Sequence, residues 1–318
     1  MAAEGPAEIN ASTRYCAVLG HPIIHSASPA MQNAGIAALR LNWRYLAFDV
    51  HPDHLRAAIN GAKAMKFIGL NLTVPHKLLA LRMVDELDPS AKTWGAVNTI
   101  RFEAPDPQGR WRPLVEFADL VPDEMRAVGF NTDADAVARA LREDLGTELR
   151  NASVLLLGAG GAGRVAALKL ASEAVGRLFL VNRTMKKAEQ IADAIRQRFP
   201  RQEVAVGYPQ TQVDLVINAT SLGLKPEDAL PLDEKHFSLR RARAVYDLIY
   251  RPAETSLMKA AKAAGCRTAN GVGMLLHQGA KALEIWSGKS PPIEVMRGAL
   301  EEAINDSMTS DPVPTRYD

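Results

Sequence analysis

Cysteine is scarce in this chain, and a large net charge is absent. Cys16 and Cys266 are far apart in sequence, which excludes a metal-binding pair and favours the reduced thiols of a cytoplasmic protein. His51 and His54 have no cysteine or acidic cluster beside them, so the sequence predicts no metal site. The formal net charge of +2 gives no reason to expect nucleic acid as a partner.

Long apolar runs are absent as well. No stretch approaches the roughly 20 consecutive apolar residues of a membrane-spanning helix, so no membrane partner is expected. The opening residues, MAAEGPAEIN, carry acids but no lysine or arginine, which is unlike a secretory or transit peptide. With 318 residues, 47% of them hydrophobic, the chain is long enough for two domains. We expect a monomer or a homodimer.

The most informative stretch is residues 153–184, SVLLLGAGGAGRVAALKLASEAVGRLFLVNRT. An apolar run at 154–157 predicts a buried parallel strand, and it ends in Gly158, Gly160 and Gly163 with the spacing G-x-G-x-x-G. A helical pattern and a second apolar run follow, as a nucleotide-binding βαβ unit requires. The glycines there make the tight turn, admit a pyrophosphate and allow close helix packing. The stretch therefore indicates dinucleotide binding; a glycine-rich turn that only packs is the alternative.

The end of the second predicted strand indicates NADP. An NAD site usually has an acidic residue there, whereas an NADP site offers arginine to the 2′-phosphate. This chain has Asn182, Arg183 and Thr184, followed by Lys186 and Lys187, and no acid. Arginine can bind a phosphate with two parallel hydrogen bonds. The alternative is a solvated basic loop.

Strands alternate with helices along the chain, which predicts an α/β fold. We expect an N-terminal α/β substrate domain and a Rossmann domain with a doubly wound parallel sheet that binds NADP. Helices at about 275–286 and 293–307 are expected to pack on the first domain. Residues 101–128 are rich in proline and charge, which argues against regular structure there.

Three polar segments could carry chemistry. Ser28 precedes a proline, which is typical of a helix N-cap, whereas Ser26 has no such structural explanation and could bind a carboxylate. Pro75 is expected to open a helix with Lys77 in its first turn, where a cation is disfavoured by roughly 0.3–1 kcal/mol. Catalysis and chance remain equal interpretations of Lys77. For Asp133, helix capping is favoured over catalysis from the sequence pattern alone.

A series of short blocks appears in the order and approximate spacing found in one enzyme family. The blocks are HPIIHSASPAMQNAG, LNLTVPHK, AVNTI, GFNTD, LLGAGGAG, VNRT, INATSLG, VYDLIY and NGVGMLLHQGA. Over about residues 15–290 the chain therefore resembles the shikimate dehydrogenase family. The resemblance implies NADPH-dependent, reversible reduction of 3-dehydroshikimate to shikimate, a step of chorismate and aromatic amino acid biosynthesis. It also implies a substrate domain formed by 1–132 and 272–318, with the NADP domain at 133–271 between them.

The resemblance also implies roles for individual residues. Lys77 and Asp133 match the catalytic pair. The residues that match the substrate site are Ser26, Ser28, Asn71, Thr73, Asn98, Tyr250 and Gln278. The residues that match the cofactor site are Gly158, Gly160, Gly161, Ala162, Asn182, Arg183, Thr184, Lys187, Thr220, Gly271 and Met274.

The chain departs from the family pattern in two places. The family usually has glycine after its Asn-Thr-Asp, and here Ala134 follows. Residues 101–128 are longer than the family's usual short hairpin, and they could fold over the cleft or form a surface excursion, which is the favoured interpretation.

Two other functions remain open. A quinate/shikimate dehydrogenase with broader substrate or cofactor use would share this architecture, although Ser28 and Thr73 resemble the shikimate-type residues. A non-catalytic dinucleotide-binding sensor would keep the glycines and Arg183 but would not need Lys77 and Asp133. No G-x-S-x-G motif occurs, which disfavours a serine hydrolase.

Overall fold

Two β-sheets organise the protein, whose computed structural model describes residues 9–118 and 120–306. The first sheet comprises β1 Arg14–Gly20, β2 Trp43–Asp49, β3 Gly69–Leu72, β4 Glu86–Leu87, β5 Thr99–Pro105, β6 Trp111–Pro113 and β7 Arg126–Phe130. Its order is β2-β1-β3-β5-β7-β4, and β6 pairs with β5. The second sheet comprises β8 Ser153–Leu157, β9 Arg177–Val181, β10 Glu203–Val206, β11 Val213–Asn218, β12 Ala242–Asp247 and β13 Arg267–Ala269. Its order is β10-β9-β8-β11-β12-β13.

Helices cover both sheets. They are α1 Ser28–Ala38, α2 Leu55–Ala64, α3 Pro89–Trp94, α4 Asp133–Leu145, α5 Gly161–Ser172, α6 Met185–Arg198, α7 Ser256–Ala263, α8 Val272–Ser287 and α9 Ile293–Asp306. None of the helices in the described ranges has the length and apolar content needed to cross a bilayer.

The second sheet is parallel throughout, which confirms the Rossmann-type prediction. Its central strand β8 is apolar on both faces because both faces are covered. Val154 and Leu156 pack into the core with α4, α5 and α6, whereas Leu155 and Leu157 pack into the core on the α7 side. A strand buried in this way has a continuous apolar run.

The first sheet is mixed, which strand–helix alternation alone does not predict. β1 pairs in parallel with β2 and β3, but β5 runs antiparallel to both β3 and β7. Antiparallel neighbours need no crossover helix. The chain can therefore pass from β5 to β7 through residues 106–125 without an α-helix between them.

The two last helices pack on the first sheet, as predicted. Leu283 and Trp286 of α8 and Leu300 of α9 belong to its buried core. The indole Nε1 of Trp286 donates a hydrogen bond to the carbonyl of Ile100 at 2.9 Å. Both cysteines are also buried. Cys16 lies in this core, and Cys266 lies in the core of the second sheet on the α7 side.

The prediction that Pro75 opens a helix is wrong. Residues 74–78 form turns, and a 3₁₀ helix follows at Leu79–Arg82. The chain stays bound to the end of β1 before it turns, because Thr73 donates its N–H to the Leu19 carbonyl and the Val74 carbonyl accepts from His21. Lys77 therefore lies in a turn, and the helix-dipole argument does not apply to it.

The N-cap prediction for Ser28 is also wrong. Helix α1 begins at Ser28 itself, and its N-cap residue is Ala27, whose side chain makes no capping hydrogen bond. The Ser28 N–H donates to the hydroxyl of Ser26 at 3.3 Å. The hydroxyl of Ser28 is therefore not used to cap the helix.

Residues 101–128 are more regular than their prolines predict. Strand β5 continues to Pro105, where it pairs with β6 alone, and β6 includes Pro113 and pairs with β5 alone. Proline is tolerated where a strand has a neighbour on one side only. The segment lies beside the first residue of β1, where the Arg14 guanidinium donates to the carbonyls of Leu114 and Phe117 at 2.8 and 3.2 Å. The loop that carries Ser26 follows the opposite end of β1. This position supports the surface interpretation over a lid.

Candidate active site

Lys77 and Asp133 form a buried ion pair at the carboxyl end of the first sheet. Lys77 follows β3, and Asp133 is the first residue of α4. The Lys77 Nζ lies 2.7 Å from Asp133 Oδ2, and the side chains are 15% and 1% exposed. A cation and a carboxylate held in a site of this kind can move a proton to or from a bound substrate.

Asp133 is available for this contact because another residue caps α4. The side-chain oxygen of Asn131 accepts from the N–H groups of Asp133 and Ala134 at 3.1 and 3.2 Å. The capping interpretation of Asp133 is therefore wrong, since Asn131 performs that role. Ala134 is fully buried and helical, so the missing family glycine leaves α4 intact.

Asn98 fixes the carboxylate from the other side. Its amide nitrogen donates to Asp133 Oδ1 and to the Thr132 hydroxyl, both at 2.8 Å, and approaches Gln278 Oε1 at 3.4 Å. Its amide oxygen accepts the Thr132 N–H at 2.8 Å. Because a backbone N–H can only donate, this bond determines which end of the amide faces Asp133. Asn98 is 1% exposed, so the arrangement is rigid.

Asn71 extends the network along the sheet. Its amide nitrogen donates to the Asn98 carbonyl at 3.2 Å and to the Thr99 hydroxyl at 3.0 Å. Its oxygen accepts from the phenol of Tyr45 at 2.8 Å. Burial raises the pKa of Tyr45 well above its ordinary value, so the phenol stays a neutral donor. Thr73 directly follows β3, the strand that contains Asn71, and is half-buried.

A second polar group surrounds the two predicted serines. Ser26 and Ser28 follow β1, which is the parallel neighbour of β3. Tyr250 lies next to the Ser26 side chain and the backbone of Ala27, and burial raises the pKa of its phenol. Ser26, Ser28 and Tyr250 thus lie together, with three hydroxyl groups and no carboxylate among them.

The glycine loop has the geometry of a dinucleotide site. Gly158 has a φ of +106°, and a Cβ there would lie 2.8 Å from the Ala219 backbone, so the tight turn requires glycine. A Cβ on Gly163 would lie 2.2 Å from the Gly158 carbonyl, so helix α5 packs closely on this turn. A Cβ on Gly160 would meet nothing within 4 Å. The open face at Gly160 and the N-terminus of α5 fit a pyrophosphate.

The same loop lies against the lysine. A Cβ on Gly161 would be 3.7 Å from Cβ of Lys77 and 4.0 Å from Cγ of Leu78. Ala162 is the next residue of α5 and is partly exposed. The start of α5 and the Lys77–Asp133 pair are therefore neighbours across the two sheets.

The end of β9 is basic and exposed. Asn182 links it to the loop, since its side-chain oxygen accepts the Ala159 N–H at 3.0 Å and its amide donates to the Thr184 carbonyl at 2.9 Å. Arg183 and Lys187 are exposed and form no ion pair with any acid of residues 9–118 and 120–306. A 2′-phosphate fits this group of donors better than a ribose hydroxyl does.

The remaining predicted cofactor residues follow the carboxyl ends of strands of the second sheet. Thr220 follows β11, and its hydroxyl donates to Asn218 at 2.8 Å. Gly271 precedes α8, and a Cβ there would lie 2.1 Å from the Leu248 carbonyl. Met274 is 8% exposed and packs in the core beneath the sheet. The structure therefore surrounds Met274 mainly with protein.

Sequence reasoning missed several supporting residues. Thr132 and Asn131 orient Asp133. Both belong to the GFNTD block, in which the sequence predicts a role for the aspartate only. Asp247 is fully buried and accepts from Asn218, Ile249 and Thr255, which ties the loops after β11 and β12 together. Burial raises the pKa of Asp247. The one sequence feature that could have indicated a role for these residues is their position at the carboxyl ends of strands.

Comparisons with known proteins agree with this arrangement. A model of the shikimate dehydrogenase substrate binding domain matches residues 18–100. Models of shikimate/quinate 5-dehydrogenase and of the shikimate 5′-dehydrogenase C-terminal domain match residues 140–223 and 271–301. A shikimate dehydrogenase (NADP(+)) of Methanopyrus kandleri is 39% identical over 305 residues, which is 92% of this chain and 97% of that protein.

Solved structures give the same result. A crystal structure of a shikimate dehydrogenase in complex with NADP+ has a TM-score of 0.78 and 35% identity, and the match covers 95% of this chain and 99% of that one. The Thermus thermophilus shikimate 5-dehydrogenase in complex with NADP(H) and shikimate has a TM-score of 0.73 and 34% identity, and the match covers 91% and 99% of the two chains.

A dinucleotide loop set against a buried lysine–aspartate pair defines an α/β oxidoreductase that uses a nicotinamide nucleotide. The relatives restrict this class further. The chain belongs to the shikimate dehydrogenase family.

Proposed function

We propose that this protein catalyses the NADP-dependent, reversible reduction of 3-dehydroshikimate to shikimate. The observation that carries the proposal is the position of Lys77, which pairs with Asp133 at 2.7 Å and lies beside Gly161 of the dinucleotide loop. The relatives that match almost the whole chain are named for this activity. The proposed physiological role is in the synthesis of chorismate and the aromatic amino acids.

The proposed NADP site uses the loop and the basic group described above. Its residues are Gly158, Gly160, Gly161, Ala162, Asn182, Arg183, Thr184, Lys187, Thr220, Gly271 and Met274. Bound NADPH would supply the hydride, which is the part of the reaction that the side chains cannot perform. Arg183 favours the phosphorylated nucleotide, because an acid at this position would repel the phosphate.

Lys77 is the proposed proton donor. Reduction of a ketone places negative charge on its oxygen, so a donor must stand within about 3 Å of that oxygen in the reacting complex. The Lys77 ammonium supplies the proton, and Asp133 orients it through Oδ2. Asn98 holds the other carboxylate oxygen, so the pair keeps its geometry when a substrate arrives. In the reverse reaction Lys77 accepts the proton from the alcohol.

The proposed substrate site has two ends. Ser26, Ser28 and Tyr250 would bind the carboxylate, because hydroxyl donors without a competing acid suit an anion. The ring hydroxyls would contact the polar residues of the network around Asp133. These residues are Asn71, Thr73, Asn98 and Gln278.

We further propose a division into two domains on the basis of the two cores. Residues 1–132 and 272–318 would form the substrate domain, and 133–271 the NADP domain. The support is that α8 and α9 share the core of the first sheet, whereas α4 begins the elements around the second. We also propose that the protein functions in the cytoplasm as a monomer or a homodimer.

Steady-state kinetics test the function. We expect kcat/KM with shikimate and NADP+ to exceed the values with quinate or with NAD+. Discrimination against quinate is expected because its extra ring hydroxyl must be desolvated or given a partner in the site. Equal or greater kcat/KM with quinate would identify a quinate/shikimate dehydrogenase. Tight NADPH binding without oxidation of either alcohol would identify a dinucleotide-binding sensor.

A further inference from the structure

The loop that carries Ser26 and Ser28 has little internal support. Residues 21–27 contain no helix or strand, and Ile24 is 71% exposed. Within the loop, Ser26 donates its N–H to the Ile23 carbonyl at 2.9 Å, and the Ser26 hydroxyl accepts from Ser28. Ser28, where the loop ends, is held by helix α1, so the position that must be fixed from outside the loop is that of the Ser26 hydroxyl.

Arg251 provides such an external contact. Its guanidinium donates to the carbonyl of His25 at 3.2 Å and to the carbonyl of Ala303 at 2.7 Å. Ala303 lies in the last turn of α9, where the carboxyl end of the helix dipole attracts a cation. Arg251 thus joins the loop directly before Ser26 to a helix packed in the core of the first sheet.

Arg251 has no carboxylate partner among the residues that the structure describes. None of the ion pairs among residues 9–118 and 120–306 includes it, and its Nε is buried without a hydrogen-bond partner. By contrast, Arg126 pairs with Glu86 and Glu103. Tyr250, which adjoins Arg251 in the chain, lies next to the Ser26 side chain. A cation therefore stands behind a group of hydroxyls that contains no acid.

We propose that Arg251 is a positioning residue that makes this site selective for a carboxylate. It fixes the His25 carbonyl, and thereby the neighbouring Ser26 hydroxyl, and it supplies a positive potential that the neutral donors lack. The inference rests on the proposed function, because it concerns the substrate's acidic end. Arg251 makes no proposed contact with the substrate itself.

Paired substrates separate the electrostatic role from simple structural support. We propose measuring Arg251→Gln and Arg251→Lys with shikimate and with its neutral methyl ester, both with NADP+. For Arg251→Gln we expect the KM for shikimate to rise about tenfold, as for loss of one charge-assisted interaction, while kcat and the KM for NADP+ change less than about twofold. The KM for the ester should rise clearly less than that for shikimate, because the neutral ester loses the positioning of the hydroxyl but no interaction with its charge. Arg251→Lys keeps the charge and should recover part of the lost affinity for shikimate.

The chain offers a matched control. Arg241 also donates to two carbonyls, those of Gln210 and His236, but it directly precedes β12 of the second sheet. Arg241→Gln should leave the KM for shikimate unchanged. Equal increases in KM for shikimate and the ester in Arg251→Gln, or no increase at all, would overturn the proposal. If wild-type protein does not oxidise shikimate, the proposed function fails instead, and that result is seen before any variant is compared.

Discussion

Lys77 owes its position to residues from two other parts of the chain. Asp133 holds its ammonium, Asn98 holds the opposite carboxylate oxygen, and Thr132 determines how the Asn98 amide is turned. Each partner is nearly or fully buried, so removing one leaves the others with unsatisfied polar groups. Removing Lys77 takes away the reacting group and leaves Asp133 Oδ2 without its partner, but the Asn98 contact to Oδ1 stays in place.

Replacing Lys77 by alanine should therefore lower turnover without preventing binding. We expect kcat to fall by about 10²–10⁴-fold, the usual contribution of a positioned acid or base, with little change in either KM. Steady-state kinetics with shikimate and NADP+ measure this effect. Lys63→Ala is the control, since Lys63 pairs with Asp85 on the surface and should keep wild-type rates. Near-normal kcat in the Lys77 variant would exclude its catalytic role.

Elements of regular structure were predictable where the sequence pattern is local. The run at β8, the glycines and α5 follow each other directly, and their burial matches the pattern that predicts them. The turn at Lys77 was not predictable, because it depends on backbone bonds from Thr73 and Val74 to the end of β1. The sequence also placed Asp133 at a helix start but could not show that Asn131 caps that helix, because asparagine and aspartate can both accept from the first N–H groups of a helix. In the first case the bonded residues are distant in sequence. In the second case two neighbouring side chains could each serve as the helix cap.

The glycine loop allows a test of which glycine serves the fold and which serves the ligand. Gly163→Ala should reduce the free energy of unfolding by about 1–3 kcal/mol, because its Cβ would overlap the Gly158 carbonyl at 2.2 Å. Gly160→Ala has open space and a φ of −79°, so its stability should match wild type. Its KM for NADP+ should rise nevertheless, because a methyl group would occupy the open face of the loop. Thermal denaturation and NADP+ titration measure the two effects. Normal NADP+ affinity in Gly160→Ala would place the pyrophosphate elsewhere.

At the scale of the whole molecule, the segment at 106–118 packs on the start of β1, which is the end opposite the loop that carries Ser26. Leu114 is 1% exposed, and its carbonyl accepts a hydrogen bond from Arg14 at the start of β1. Sequence patterns could not reveal this contact, because the partner lies about a hundred residues earlier. A surface role for the segment follows from its location.

Leu114→Ala should therefore affect stability alone. Removing a buried leucine side chain costs about 2–5 kcal/mol, so we expect a lower free energy of unfolding with both KM values unchanged. Leu120 also lies between β6 and β7 but is 90% exposed, and Leu120→Ala should change neither property. Chemical denaturation and steady-state kinetics cover both variants. A higher KM for either ligand in Leu114→Ala would revive the lid interpretation.

The buried cysteines also make the molecule convenient for spectroscopy. Cys16 is fully buried and Cys266 is 8% exposed, and burial raises the pKa of both thiols, so neither forms a reactive thiolate readily. A cysteine introduced on the surface of each sheet's domain would then take up a fluorophore or spin label without removal of the native thiols. The distance between two such labels, recorded with and without nucleotide, would report directly how far the cleft closes.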